Sequence, residues 1–131
     1  MQTLKIKTKQ KEEFIDLTPK VKENVNSSGT QNGLCVIYVP HTTAGVTINE
    51  NADPSVKKDI LMTLRKIVPD SLAYSHAEGN SPSHVKASLI GSSVKLLITN
   101  GRLALGTWQG IFFCEFDGPR QRQVFLKIIK E

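Results

Sequence analysis

The chain has 131 residues, 39% hydrophobic and 22% charged, with a formal charge of +5 at pH 7. That is one domain, long enough to bury roughly two-thirds of its unfolded surface and too apolar for a disordered chain. The longest apolar run, "LCVIYV", is too short to cross a bilayer, and the first residues lack a signal-peptide core, so a cytoplasmic protein with no membrane partner is expected.

"TLKIKTK" alternates with period two and predicts a strand, followed by a second at "FIDLT". Lys5, Lys7, Lys9 and Lys11 share one face of that first segment. Without them, 13 basic residues stand against 12 acidic, so the charge reads as a lysine-lined edge strand rather than a nucleic-acid surface. Thr18–Pro19 predicts a capped helix running to "NSSGTQNG", and "GLCVIYV" a strand buried on both faces. "GVTI" continues as a strand. Asp53–Pro54 starts the clearest helix, with Val56, Ile60, Leu61, Leu64, Ile67 and Val68 as its apolar stripe and Pro69 as its stop. Ser81–Pro82 opens a shorter helix carrying His84, Val85, Lys86 and Leu89 as far as Gly91. "SVKLLIT" and "LALGTWQ" flank the hairpin signal Asn100–Gly101, and "GIFFCEF" and "RQVFLKIIK" complete a predicted meander around Asp117–Gly118–Pro119. Trp108 is expected in the core. Cys35 and Cys114, each in an apolar stretch, predict two reduced buried thiols. The sum is a single α+β domain over residues 1–131, with a β-sandwich-like core of mostly antiparallel strands and two or three helices.

Two polar clusters, "PHTTAGVTINENADP" and "YSHAEGNSPSH", hold all three histidines, His41, His76 and His84. Three imidazoles can bind a divalent cation and leave a position open, although no HExxH-type spacing supports a metal here, and each ring could equally be an ordinary surface histidine. Glu50 and Glu78 are acid–base candidates or solvated loop carboxylates. Asp53 reads as a helix cap, while Asn51 and Asn80 are either turn formers or ligand-orienting amides. Thr42 could meet a phosphate or finish a strand. Lys86, Arg120 and Arg122 are candidates for an anion site, with Arg120 and Arg122 expected on one face of a strand.

"HTTAGVTINENADP", "YSHAEGNSPSHVKASLIG" and "GRLALGTWQGIFFCEFDGPRQR" together resemble the YjbQ-type family, also labelled secondary thiamine-phosphate synthase. The likeness covers residues 33–124 closely, with Ser83 standing where the family usually has alanine. The resemblance implies a jelly-roll-like sheet core, a homotrimer, and a cleft where His41, His76 and His84 gather and hold a divalent metal (zinc or magnesium). It implies a transferase joining hydroxymethylpyrimidine diphosphate to thiazole phosphate. His41, Glu50, His76 and His84 would be catalytic, and Thr42, Asn51, Asn80, Lys86, Arg120 and Arg122 would bind a phosphorylated substrate. Two other readings use the same residues: a metal-dependent hydrolase or lyase on another phosphorylated small molecule, and a non-catalytic ligand- or metal-binding module.

Overall fold

A computed structural model describes all 131 residues, which form eight strands and three helices. The strands are β1 (Gln2–Lys7), β2 (Glu13–Asp16), β3 (Gly33–Tyr38), β4 (Ala44–Glu50), β5 (Ser93–Thr99), β6 (Arg102–Leu103), β7 (Gln109–Glu115) and β8 (Gln121–Lys130). The helices are α1 (Thr18–Ser28), α2 (Pro54–Ile67) and α3 (Ser81–Ile90). One sheet runs β1-β8-β3-β5-β6, the other β2-β7-β4, and every pairing is antiparallel. The α+β architecture with three helices is as the sequence predicts.

The core lies between the sheets. Cys35, Ile37, Leu96, Ile98, Val124 and Leu126 of the larger sheet meet Val46, Ile111 and Phe113 of the smaller, with Val21 and Val25 of α1 closing the end. On the other side of β7, Phe112, Cys114 and Phe116 pack with Leu64 of α2 and Ala87 of α3. Successive β7 side chains thus enter two different cores, and each fully buried phenylalanine contributes about 1.5–3 kcal/mol.

Local signals place α2 well. Asp53 Oδ1 accepts from the Ser55 N–H at 2.9 Å, Pro54 takes the first turn, and the helix ends before Pro69. Asn100 and Gly101 have φ of 52° and 77°, the left-handed pair a two-residue hairpin demands. Lys5 and Lys7 are exposed on β1, an edge strand. Lys9 and Lys11 lie beyond its end.

Four expectations are corrected. Thr18 is not the cap of α1: its hydroxyl accepts from the Ile111 N–H at 2.9 Å, while Asp16 accepts from the Thr18 N–H. β7, not β3, is the strand buried on both faces, and Tyr38 at the end of β3 is 47% exposed. The last strands form no meander, because β7 belongs to the smaller sheet while β8 crosses to sit between β1 and β3. "LALGTWQ" yields only the short β6 and the start of β7, and the turn between them leaves Trp108 63% exposed rather than in the core.

Candidate functional site

The start of α3 assembles a polar site. Asn80, ahead of Pro82, occupies the cap position; its Nδ2 donates to Asp117 Oδ2 at 3.0 Å, and its Oδ1 is buried without a hydrogen-bond partner. The Ser83 hydroxyl donates to the Phe116 carbonyl at 2.6 Å, pinning the helix to the chain just beyond β7. His84, in the first turn, meets His76 of the preceding loop edge-to-face, with ring centroids 5.4 Å apart and ring planes at 90°. Glu78 Oε2 lies 3.9 Å from His76 Nε2, so the pair has a carboxylate on its flank.

Asn80 also borders a cleft of about 210 Å³ between the end of α2 and the start of α3. Within it the Lys86 ammonium, 6% exposed, donates to Glu12 Oε2 at 2.8 Å, and Arg65 Nε donates to Glu12 Oε1 at 2.7 Å. Lys11 Nζ lies 2.6 Å from Asp117 Oδ1 and the Arg120 guanidinium 3.0 Å from Asp117 Oδ2. Burial alone would raise the Asp117 pKa, but hydrogen bonds from Lys11, Asn80 and Arg120 outweigh it and pull the value down to about 2. Lys11, Glu12, Arg65 and Asp117 are functional candidates that the sequence reading missed. They come from three separate segments (Lys11 with Glu12, the last turn of α2 and the residues after β7), and no local spacing links the three.

His41 lies elsewhere. Where β3 runs out, its Nε2 accepts from the Gln123 N–H at 2.9 Å, which fixes the ring proton on Nδ1. Burial first, then the nearby Arg122 charge, lowers its pKa, so the ring is neutral at pH 7. Arg122 does not share a face with Arg120. It is buried, with Nε at 3.0 and 3.1 Å from the two oxygens of Glu115, and with Nη2 at 2.8 Å from Thr43 Oγ1. Its charge is committed to a fully buried carboxylate, which Thr8 also reaches at 2.8 Å. Thr42 is exposed.

Glu50 and Asn51 lie at the far end of β4. The ladder pairs Ala44 with Glu115 and Glu50 with Gln109, so this end is about 20 Å from Glu115 at ~3.4 Å per residue. There the Asn51 N–H donates to the Trp108 carbonyl at 2.7 Å, and its side chain donates to Asp16 Oδ2 at 3.1 Å. Glycine at position 110 permits this, since a Cβ there would sit 2.6 Å from the Asn51 side chain. Burial would raise the Asp16 pKa, but hydrogen bonds from Thr18 and Asn51 and the Lys57 charge lower it.

The sequence thus yields one histidine pair rather than a three-histidine cleft within the chain. No three His, Cys, Asp or Glu side chains come together in a group that could hold a metal ion. His76 and His84 supply two nitrogens where zinc sites use three or four protein ligands, so the residues of one chain do not fit the expected metal.

A family model described as "UPF0047 protein YjbQ-like" matches residues 2–131. The UPF0047 protein of Methanocaldococcus jannaschii is 54% identical over 95% of this chain and 90% of its own length, and YugU of Bacillus subtilis is 49% identical over 98% of both. A Clostridium acetobutylicum crystal structure superposes with a TM-score of 0.96 at 56% identity, covering 98% of this chain and all of that one. A Sulfolobus solfataricus structure reaches 0.95 at 32% identity, covering 99% and 96%, and is described as a YbjQ-like protein of unknown function. The thiamine-phosphate synthase expectation is corrected by these findings. The relatives carry only the UPF0047 name, and the three-histidine site on which that mechanism and its two rival readings relied does not form in the chain. The chain belongs to the YjbQ-like UPF0047 family.

Proposed function

We propose that the chain is an enzyme that holds a phosphorylated small molecule in the cleft between α2 and α3 and moves a proton on it through His76 and His84. The buried Lys86 ammonium carries the reading. It has three N–H donors, and Glu12 takes one of them. Unused donors on a buried charge are costly, and phosphate oxygens satisfy them. The remaining nitrogens of Arg65 and the α3 N-terminus add positive potential, and the unpartnered Asn80 Oδ1 can accept from a ligand hydroxyl. The edge-to-face imidazoles then divide the labour of acid and base, with the Glu78 carboxylate 3.9 Å from His76 Nε2 on their flank. The working unit is a homotrimer, in keeping with the family resemblance, and its compartment is the cytoplasm, where two free thiols persist.

Titrating isotopically labelled protein with inorganic phosphate tests the binding step. The amides of Asn80 and Ser83 and the His76 and His84 ring signals should move, and Lys86→Met should weaken binding by about tenfold or more, the worth of one charged hydrogen bond. Signals that stay still at tens of millimolar phosphate, or a Lys86→Met variant that binds unchanged, would overturn it. Turnover found by screening phosphorylated metabolites should vanish in His84→Gln while phosphate binding survives.

A further inference from the structure

The cleft between α2 and α3 is small and polar. Its volume of about 210 Å³ falls below the roughly 300–1,000 Å³ of pockets for drug-sized ligands. Of its 11 lining residues only Val68 and Phe116 are apolar, and both are already buried, at 4% and 1% exposure. No apolar floor is left for an aromatic or long aliphatic body. Taking the phosphate reading of this cleft as given, we infer that its occupant is a zwitterion. It is a phosphomonoester on a short body, about two to four carbons, ending in an ammonium group held by Asp70.

The charges of the cleft sort into two kinds. Lys86 and Arg65 share Glu12, and Lys11 and Arg120 share Asp117, so each of these carboxylates faces two cations and leaves one positive charge over. A phosphate monoester, close to doubly charged at pH 7, answers that surplus. Asp70 is different. It lines the same cleft, is exposed, and belongs to none of the chain's ion pairs. Even Lys66, in the last turn of α2, does not pair with it. The other carboxylates nearby are engaged: Glu13 accepts from the Lys9 and Gln10 N–H groups, and Glu78 stands beside His76.

The helices reinforce the division. Asp70 follows the C-terminal end of α2, a negative pole, while Asn80, Pro82 and Ser83 bring the positive N-terminal pole of α3 to the same cleft. A carboxylate is unfavourable beside a helix C-terminus, so nothing local calls for Asp70, and the two together favour a cation. One part of the cleft thus suits a phosphate and another an ammonium.

Titrating isotopically labelled protein with inorganic phosphate, propyl phosphate and aminoethyl phosphate tests this, because the two esters differ only by a methyl in place of an ammonium. Aminoethyl phosphate should bind the wild-type protein about three- to fivefold more tightly than propyl phosphate, the upper range of an exposed ion pair. In Asp70→Asn, which keeps size and polarity, the two esters should bind alike, with inorganic phosphate bound at least as well as before. Equal affinities for the esters in wild type, with inorganic phosphate still bound, overturn the zwitterion and leave the phosphate site standing. So does a preference that Asp70→Asn leaves intact. Inorganic phosphate that moves no signal at tens of millimolar removes the site itself, and the zwitterion with it.

Discussion

Replacing Arg122 with methionine separates a structural arginine from a substrate-binding one. Glu115 is fully buried and the Arg122 side chain only 6% exposed, so the substitution strands a carboxylate where water cannot reach it. The Thr8 hydroxyl remains, but one neutral donor cannot replace a guanidinium that bonds both carboxylate oxygens. Breaking a buried pair this way costs about 3–5 kcal/mol, set against a total stability of roughly 7–20 kcal/mol for a chain of this length. Urea unfolding should therefore show a much lower midpoint at an unchanged slope, with a melting temperature down by about 10–20 °C. Removing both charges, as Arg122→Met with Glu115→Leu, should recover most of that loss, because two packed apolar groups need no solvation. Phosphate binding in the cleft should survive in whatever fraction stays folded. A cost below ~1 kcal/mol for the single variant, or a double variant no better than the single, would refute this account of the pair.

The lowered His41 pKa makes folding favour the neutral ring, so stability is full above the unfolded value near ~6.5 and falls as pH drops through the lower folded value. His41→Gln keeps an acceptor for the Gln123 N–H but cannot titrate, and urea midpoints measured from pH 7.5 to 5 should decline less steeply than in wild type. Gly110→Ala would place a methyl 2.6 Å from the Asn51 side chain and push it off Asp16, costing about 1–3 kcal/mol in a thermal melt and perturbing the Trp108 turn.

The elements that the chain determined by itself are those whose signals are local. Asp53–Pro54, a stripe of period 3.6 and Pro69 fix α2 because capping, proline geometry and helix periodicity act within a few residues. Asn100–Gly101 fixes the β5–β6 hairpin for the same kind of reason, since both positions need φ above zero. The acid–base candidates His76 and His84 were also legible, lying in one short polar segment and meeting across a helix start. Tertiary structure decided the rest. Arg120 and Arg122 differ by two positions, yet one stays on a loop against Asp117 while the other enters the core to meet Glu115, because β8 begins between them. Trp108 was drawn from an apolar segment but left in solvent, because β7 starts one residue later and spends its alternating faces on two cores already filled. Lys11, Glu12 and Arg65 joined Lys86 only through long-range packing. Pairings that distant are set by the total burial they permit, and no window of neighbouring residues encodes that sum.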